Sequence, residues 1–375
     1  MRHPELLEIH APLPTRPSEE HSKPVLEAGV QNQRSLSNLS PDRIFSKPQC
    51  GAIPGRGVLR VSLTPVCNLR CSHCHNEGQA KPWLHKASAA ASIDDLDALI
   101  RAAAKRGAKA VRFTGGDPGM YPHLYELISA IKNWRCEFPS VDKWALTTNG
   151  IPFLDLRKFS ALAGSALTHI AVGIDSIEAG ELSRPSSPVG VPGDEVFNRF
   201  VGPLAREFAG SIKIDVVFTG VESRTRNVIR RARLLGLDVT VLEVNGVMGL
   251  RYDTGTAFEQ LLGRVAEEFA LTPRLCEDLN EVYLYDAHGR EVMKFYQDHC
   301  ARRECDICRK LDFRVVQSVN GLAAVPCYEQ AQSKSIPLMA DGIVSEVRLD
   351  DAIRLNGRGP QWFNDSPHDH RAEVI

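Results

Sequence analysis

Hydrophobic and polar positions alternate along this chain in a repeating order. From Val58 onward, short apolar or alternating runs are followed by segments in which apolar residues recur every three or four positions. The first pattern predicts β-strands, and the second predicts amphipathic α-helices. Because strand and helix alternate without a long interruption, the sequence favours an α/β fold with a parallel sheet that curves into a partial or full barrel.

Six strand–helix units follow from this pattern. The predicted strands cover 58–64, 110–114, 143–148, 168–174, 212–218 and 238–244. The predicted helices cover 92–106, 121–134, 154–163, a part of 194–208, 223–235 and 256–269. Ser92 and Ser223 are the expected N-caps of the first and fifth helices, because a serine hydroxyl accepts from the free N–H groups of a first turn.

The pattern differs at both ends of the chain. Residues 1–50 hold seven prolines and many polar residues, which predicts a disordered or draped arm. A hairpin is expected at 282–285 and 291–296, before a second group of cysteines. The sequence therefore divides into an arm at 1–50, a core barrel at 51–272, a cysteine-rich region at 273–354 and a polar tail at 355–375.

The composition limits which partners the protein is expected to bind and in which cellular compartment it is expected. The 375 residues include 45 basic and 46 acidic side chains, so no net field favours nucleic acid or an anionic membrane. No apolar run reaches membrane-spanning length, and the N-terminus lacks the apolar core of a signal peptide. We therefore expect a cytoplasmic protein that binds neither nucleic acid nor membrane. In a reducing cytosol, ten clustered cysteines indicate metal ligands rather than disulfides.

The first cysteine group has the spacing C-x3-C-x2-C and directly follows the first predicted strand. Its members are Cys67, Cys71 and Cys74. Three thiolates on one short loop suit a cubane iron–sulfur cluster and leave its fourth iron without a protein ligand. An open metal position is where substrate chemistry takes place. The spacing therefore predicts a redox enzyme in which these three cysteines are both metal ligands and catalytic residues.

Two further motifs give the chain its resemblance to a family. Thr114-Gly-Gly-Asp-Pro118 follows the second strand, and Thr147-Thr-Asn-Gly150 follows the third. Together with the cysteines they resemble the radical S-adenosylmethionine (radical SAM) superfamily. An ordinary strand-to-helix turn is the alternative interpretation of the Gly-Gly-Asp-Pro sequence taken alone.

The resemblance implies a partial (β/α)6 TIM-like barrel that uses a [4Fe–4S] cluster and SAM as cofactors. In that superfamily, SAM is reductively cleaved to a 5′-deoxyadenosyl radical that abstracts hydrogen from a substrate. A reductant such as flavodoxin or ferredoxin is implied as a partner. The implied cofactor-binding residues are Gly115, Gly116, Asp117, Thr148, Asn149 and Ser176. His73 stands where relatives usually carry an aromatic ring near the SAM adenine; the alternative is a solvent-facing histidine.

One branch matches more closely over about residues 58–330, the GTP 3′,8-cyclases of molybdenum-cofactor synthesis (MoaA). That resemblance implies that Arg60, Arg112 and Lys213 bind a nucleotide-like or other anionic small molecule. Each is expected on a strand at the barrel mouth or lumen, where an unpaired charge is costly. The alternative is that these cations pair with local carboxylates such as Asp215 or Glu243.

The second cysteine group is also consistent with this branch. The resemblance implies that Cys305, Cys308 and Cys327 hold a second, auxiliary [4Fe–4S] cluster whose free iron contacts the substrate. Cys300 is a further candidate ligand; if it binds, the cluster is closed and would only carry electrons. Four thiolates would also satisfy tetrahedral zinc, which is the main alternative.

Several departures point away from the activity of that branch itself. Gly173 replaces the family's serine on strand four, Arg309-Lys310 replaces its Asn-Arg-x-Arg, and the chain ends Ala-Glu-Val-Ile375 instead of Gly-Gly. We therefore expect a relative with a repurposed pocket, in cofactor or specialised-metabolite biosynthesis. The alternatives are the GTP 3′,8-cyclase reaction itself, a peptide-modifying radical SAM maturase, and a non-enzymatic zinc or iron–sulfur protein.

Overall fold

The computed structural model of the chain describes residues 57–69, 71, 73–74, 90–178, 193–244, 254–276, 281–297, 312–318, 321–325, 336–340 and 342–355. Four cysteines for which we predicted or considered a role in the auxiliary cluster lie outside these ranges: Cys300, Cys305, Cys308 and Cys327. The predicted arm at 1–50 also lies outside them, so the structure tests neither of these two predictions.

Six parallel strands lie side by side in chain order at the centre of the fold. They are β1 (Val58–Ser62), β2 (Ala110–Thr114), β3 (Lys143–Thr148), β4 (His169–Gly173), β5 (Ser211–Phe218) and β6 (Asp238–Glu243). This arrangement confirms the predicted α/β class and the parallel sheet. The predicted strand boundaries agree to within two residues.

Helices connect these strands, as the periodicity predicts. They are α1 (Ile93–Lys105), α2 (Leu124–Glu137), α3 (Leu156–Ala163), α4 (Gly193–Val196), which continues through a π-helical segment (Phe197–Val201) into α5 (Gly202–Glu207), then α6 (Glu222–Leu234) and α7 (Gly255–Glu268). Two short 3₁₀ segments, Pro118–Met120 and Ile151–Leu154, follow β2 and β3. A later helix, α8 (Glu346–Leu355), has no counterpart among the predicted elements.

The two predicted N-caps have different outcomes. Ser92 caps α1, because its hydroxyl accepts a hydrogen bond from the Asp95 backbone N–H at 3.0 Å. The prediction for Ser223 is wrong: α6 begins one residue earlier, at Glu222, and has no side-chain cap. Glu222 instead forms ion pairs with Arg226 and Arg264, which stabilise the first turn and fix the helix start.

The sheet has an apolar face against the helices and a polar face opposite. On the apolar face, Trp144 of β3 stacks on Trp134 of α2, with ring centroids 6.1 Å apart. Phe218 of β5 likewise lies 5.8 Å from the ring of Phe258 in α7. Burying each such side chain contributes about 1.5–3 kcal/mol. We call the opposite face, which carries the alternate residues of each strand, the inner face.

Later strands extend this sheet at both edges. They are β7 (Thr272–Cys276), β8 (Glu281–Tyr285), β9 (Glu291–Tyr296), β10 (Asp312–Ser318), β11 (Gly321–Ala324) and β12 (Ile336–Pro337), while β13 (Met339–Ala340) and β14 (Ile343–Val344) form a separate pair. The predicted hairpin is confirmed as antiparallel β8 and β9. Strand β9 lies parallel to β6, and β10 lies parallel to β1. The regions predicted at 51–272 and 273–354 therefore share one sheet, and the boundary between them stays a prediction.

Candidate active site

The carboxyl ends of β1 to β4 meet at one edge of the sheet, as parallel strands require. The cysteine loop leaves β1 there, and the Gly-Gly-Asp-Pro turn leaves β2. Thr148 and Asn149 stand at the end of β3, and Asp175 follows β4. The structure thus brings together the predicted motifs, which are far apart in the chain.

The two glycines of the turn support the first part of the cysteine loop. Gly116 donates its N–H to the Thr64 carbonyl at 2.6 Å, and Asp117 donates to the Val66 carbonyl at 2.8 Å. A Cβ atom on Gly116 would lie 2.0 Å from that Val66 oxygen. Gly115 has a φ of +142°, and a Cβ there would lie 2.7 Å from the Thr64 oxygen. Only glycine permits this contact; the role of both residues toward SAM stays a prediction.

Asp117 links the ends of β2 and β3. Its side chain is 1% exposed and accepts hydrogen bonds from the Gly119 N–H at 2.8 Å, the Thr148 hydroxyl at 2.9 Å and the Asn149 N–H at 2.7 Å. Burial raises the pKa of Asp117 to about 6, although these hydrogen bonds act in the opposite direction. These contacts support a turn-fixing role for Asp117, and its predicted contact with SAM stays a prediction.

Asn149 connects this turn to the cysteine loop. Its Nδ2 donates to Asn68 Oδ1 at 2.9 Å and lies 3.8 Å from Cys67 Sγ, while its Oδ1 accepts from the Ile151 N–H at 3.0 Å. The Leu69 N–H also donates to Cys67 Sγ, at 3.3 Å. Such N–H groups stabilise a thiolate and tune the potential of a cluster bound to it. Asn149 therefore lies where a residue supporting the cluster is expected.

The three cysteines of the loop are half-buried thiols that raise one another's pKa. Burial raises the pKa of Cys67 to about 12, and the negative charges of Asp117 and Cys74 add to this. Burial, Asp175 and the other two thiols raise the pKa of Cys71 in the same way. Thiolates at these positions therefore need a positively charged partner. Three neighbouring thiols of this kind fit a cubane cluster with three protein ligands.

His73 lies between two of these cysteines and is held by a strand-end carboxylate. Its Nε2 lies 3.1 Å from Asp175 Oδ2, and the Val217 N–H donates to Asp175 Oδ1 at 2.7 Å. Burial lowers the pKa of His73, but the charge and hydrogen bond of Asp175 outweigh it and raise the pKa. The His73 side chain is only 16% exposed, so the solvent-facing alternative does not hold.

His73 and Asp175, together with Cys71, form a second set of possible metal-binding groups at the loop. Ligand atoms of Cys71, His73 and Asp175 all lie within 4.8 Å of one another. A sulfur, a nitrogen and a carboxylate oxygen at this spacing can also hold zinc. Sequence reasoning assigned no role to Asp175, because only the fold shows that this residue, which follows β4, faces the loop.

Ser176 and Gly173 lie at the end of β4. Ser176 is 1% exposed, and its hydroxyl accepts from the Glu178 N–H at 3.1 Å. A contact between Ser176 and SAM stays a prediction. At Gly173, a Cβ atom would have the Thr148 carbonyl oxygen at 3.8 Å as its nearest neighbour, which is ordinary van der Waals contact. The site therefore has room for the family's serine at this position.

The predicted substrate cations lie on the inner face. Arg60 of β1 is in register with Arg112 of β2 on one side and with Arg314 of β10 on the other. Each of β10, β1, β2, β3, β5 and β9 places one lysine or arginine on this face: Arg314, Arg60, Arg112, Lys143, Lys213 and Lys294. The structure thus assembles the three predicted residues into a larger cationic surface.

Lys213 has a carboxylate partner within this surface. Its Nζ lies 2.6 Å from Asp215 Oδ1 and donates to the Thr240 hydroxyl at 3.1 Å. Burial lowers the pKa of Lys213, and Asp215 opposes this shift. The pairing alternative therefore holds for Lys213 with Asp215. The other carboxylate named from the sequence, Glu243, accepts from the Thr254 hydroxyl at 3.0 Å.

Sequence reasoning missed four members of the inner face: Arg314, Lys143, His169 and Lys294. Burial lowers the pKa of Lys143 to about 8, with further lowering by the positive charges of Arg112, Lys213 and Lys294. Burial lowers the pKa of His169 to about 4, with Lys143, Arg112 and Lys213 as the next causes. Side chains from β2, β3, β5 and β9 therefore share one space. Polar residues at alternate positions of otherwise apolar strands were the available signal.

Comparison with known proteins identifies the domain that carries the loop and the turns. Residues 61–186 match the model of the Radical SAM superfamily. The chain carries a radical SAM domain. This match confirms the resemblance and indicates an enzyme, and the superfamily that residues 61–186 match implies SAM and one [4Fe–4S] cluster as cofactors. The loop of Cys67, Cys71 and Cys74 has the donor set to hold such a cluster.

The curated relatives of the radical SAM domain include GTP 3′,8-cyclases. The enzyme of Klebsiella pneumoniae (strain 342) is 30% identical over 162 residues, which cover 42% of this chain and 45% of the relative. GTP 3′,8-cyclase 2 of Mycobacterium tuberculosis (strain ATCC 25618 / H37Rv) is 41% identical over 121 residues, which cover 32% of this chain and 31% of the relative. The enzyme of Synechococcus sp. (strain WH7803) is 27% identical over 235 residues, which cover 58% of this chain and 66% of the relative. The chain thus spans less than half the length of the Klebsiella relative.

Solved structures support the fold around the radical SAM domain. Streptococcus suis SuiB bound to S-adenosylmethionine has a TM-score of 0.54 at 15% identity, covering 83% of this chain and 65% of SuiB. Native anSMEcpe with bound AdoMet has a TM-score of 0.52 at 12% identity, and the match covers 84% of this chain and 82% of anSMEcpe. At these identities the likeness concerns the fold alone. Among the residues that the structure describes, no helix is long and apolar enough to cross a membrane.

Proposed function

We propose that the protein is a radical SAM enzyme that acts on a nucleotide-like or other anionic small molecule. It would reductively cleave SAM, abstract hydrogen from the substrate and bring about its rearrangement or cyclisation, in cofactor or specialised-metabolite biosynthesis. The observation that carries the proposal is the cationic inner face. The strands that end at the cysteine loop and its supporting turns also carry Arg60 and Arg112 on that face.

In this proposal, the residues at the strand ends hold the cofactors. When bound, the cluster and SAM supply the 5′-deoxyadenosyl radical. Cys67, Cys71 and Cys74 hold the cluster, and Asn149 donates toward Cys67. The Gly-Gly-Asp-Pro turn keeps the loop at the mouth of the sheet, with Gly115, Gly116, Asp117, Thr148 and Ser176 as proposed neighbours of SAM.

The inner face determines the substrate class. Bringing several cations into one half-buried space costs free energy unless an anion compensates them. Lys143 shows this cost directly, because burial and its cationic neighbours lower its pKa to about 8. Phosphate or carboxylate groups on a substrate would offset the repulsion through charge-assisted hydrogen bonds. Arg60, Arg112 and Lys213 are therefore the proposed anion-binding residues.

A second cluster and an electron donor belong to the same proposal. Cys305, Cys308 and Cys327, with Cys300 as a further candidate, would hold an auxiliary [4Fe–4S] cluster, and zinc is the alternative. A flavodoxin or ferredoxin would supply the electron. Counting iron and zinc in the purified chain separates the two metals at the second cysteine group.

Three other functions each have an observation behind them. The matches to GTP 3′,8-cyclases favour GTP cyclisation itself as the second candidate. The spacing of Cys71, His73 and Asp175 favours a zinc-binding protein without SAM chemistry as the third. For the peptide-modifying alternative, the support is a structural neighbour, SuiB bound to precursor peptide SuiA, which shares the fold at 15% identity.

The test compares substrates and charge variants in the reconstituted protein. The combined Arg60→Ala, Arg112→Ala and Lys213→Ala variant should lose anion binding and anion-stimulated formation of 5′-deoxyadenosine. A matched control replaces three exposed outer cations, Lys105, Arg230 and Arg264, with alanine. Nucleotide and sugar-phosphate affinities equal in the wild type and the inner-face variant would contradict the proposed substrate class.

A further inference from the structure

The hairpin of β8 and β9 continues the inner face beyond the six central strands. Asp215 of β5, Thr240 of β6, Lys294 of β9 and Tyr283 of β8 are neighbours in register across the sheet. In a sheet, residues in register point to the same face. Lys294 therefore faces the same side as Lys213, although it lies outside the part of the chain that matches the superfamily model.

Lys294 is a cation with a fixed position. Its Nζ donates to Glu281 Oε1 at 2.9 Å, and the Tyr283 hydroxyl donates to the same carboxylate. Glu281 is 0% exposed, whereas the Lys294 side chain is 21% exposed. The rings of Tyr283 and Tyr296 lie with their centroids 5.8 and 5.9 Å from Nζ, within the range of cation–π attraction. The carboxylate thus lies behind the ammonium group, which is the more accessible of the two.

The charge of Lys294 acts in the same space as the other inner-face cations. It is among the causes that lower the pKa of Lys143 and of Lys213, and that lower the pKa of Asp215. Lys213 and Lys294 also resemble each other in arrangement, since each has a carboxylate partner within 3 Å on the same face, at 2.6 and 2.9 Å respectively. Each partner holds its lysine in place without removing it from the inner face.

We propose that Lys294 forms a second anion subsite on the inner face, which holds a second negatively charged group of the substrate. This inference rests on the proposed function, because it assumes that the inner face binds the substrate. It makes the substrate a small molecule with at least two anionic groups, such as a nucleoside di- or triphosphate, rather than a neutral nucleoside or a molecule with one phosphate or carboxylate group. Glu281 and Tyr283 are positioning residues for this lysine.

The alternative is that Lys294 and Glu281 only hold the hairpin together. A purely structural pair would affect thermal stability and leave the dependence of binding on ligand charge unchanged. A subsite predicts the opposite, because Lys294 would matter most for ligands with more than one anionic group. The ratio of affinities for ligands with several phosphate groups and ligands with one phosphate group is therefore the decisive readout.

The test uses the full chain, reconstituted anaerobically with its cluster. Isothermal titration calorimetry would measure inorganic phosphate, pyrophosphate and triphosphate together with GMP, GDP and GTP, at fixed ionic strength. Lys294→Met should weaken binding of the di- and triphosphates by about tenfold or more and change monophosphate binding little. Lys294→Arg should retain the wild-type preference.

Two further variants make the result interpretable. Arg290→Met is the matched control, because Arg290 lies in the turn of the same hairpin, pairs with Asp238 at 2.9 Å and is 59% exposed. It should bind every probe as the wild type does. Lys294→Met alone leaves Glu281 buried without its ammonium partner, which is strongly destabilising. Combining Lys294→Met with Glu281→Gln removes that charge and should show the same selective loss.

The outcomes separate the inference from the proposed function. A wild type that prefers the di- and triphosphates to the monophosphates, with a selective loss of this preference in both Lys294→Met variants, supports the second subsite. Equal affinities in the wild type and in the double variant with Lys294→Met and Glu281→Gln would overturn the subsite. The proposed anionic substrate class would still stand. A wild type that binds none of these anions would contradict the proposed substrate class itself, and the subsite with it.

Discussion

His73 and Asp175 form an ion pair, 3.1 Å between Nε2 and Oδ2, that joins the cysteine loop to the end of β4. Because the Val217 N–H donates to the second oxygen of Asp175, the contact also reaches β5. His73 of the cysteine loop is therefore fixed to the ends of two neighbouring strands. This anchoring is independent of the contacts that hold Cys67 at the other end of the loop.

Replacing Asp175 tests this anchor. Asp175→Asn keeps an oxygen that can accept from Val217 but removes the charge that pairs with His73. We expect a loss of stability on the order of 1–3 kcal/mol, fewer irons bound after reconstitution and an altered EPR spectrum of the reduced cluster. Glu178→Gln, an exposed carboxylate near the same strand end, is the control. Wild-type iron content and spectrum in Asp175→Asn would show that the pair does not position the loop.

Gly116 provides a steric test of the turn that supports the loop. In Gly116→Ala, the new Cβ would lie 2.0 Å from the Val66 carbonyl oxygen, so the loop must move. We expect poor cluster reconstitution and a lower melting temperature. Gly263→Ala is the control, since its Cβ meets nothing within 4 Å and the change should stabilise α7 by about 0.5–1 kcal/mol. A Gly116→Ala protein that reconstitutes normally would contradict the close packing of turn and loop.

Gly173→Ser tests whether the site retains space for the family's serine. The nearest atom to the new Cβ is the Thr148 oxygen at 3.8 Å, so the variant should fold with an unchanged melting temperature. If the serine reaches SAM, as the resemblance implies, the variant should bind SAM more tightly than the wild type. Equilibrium binding of SAM measures this. A large drop in melting temperature would show that the space is filled.

Lys143 gives the inner face a pH dependence. Its pKa falls from 10.5 to about 8 on folding, so between these values the unfolded chain binds more protons and stability rises with pH. Binding of an anion needs the charged lysine, so affinity for phosphates should fall as pH rises through about 8. Titrations from pH 6.5 to 9.5 check both trends. In Lys143→Met this decrease should flatten, and an unchanged pH profile would exclude Lys143 from the anion site.

Local pattern was sufficient for the parallel core, because each strand and helix there is specified by its own residues. Ser92 and the alternation in β3 are examples, and both elements lie where expected. Ser223 shows the limit: the start of α6 depends on ion pairs of Glu222 with Arg226 and Arg264. One of these partners lies in another helix, so the local pattern could not show it.

Non-local pairing was the second limit. The parallel contact of β10 with β1 joins residues about 250 positions apart, and nothing in either strand specifies its neighbour. For the same reason Asp175 and Lys294 had no predicted role. Each became a candidate only when the fold placed it against His73 or beside Thr240. The cysteine spacing, by contrast, predicted a cluster site from a short stretch of sequence alone.

The most direct test of the account is a SAM-cleavage assay on the anaerobically reconstituted chain. With dithionite as reductant, the wild type should bind about four irons for one cluster, or about eight with an auxiliary cluster, and should form 5′-deoxyadenosine. The variant with Cys67, Cys71 and Cys74 replaced by alanine should form none. Zinc in place of iron at the cysteine loop, with no cleavage of SAM by the wild type, would contradict the radical SAM function.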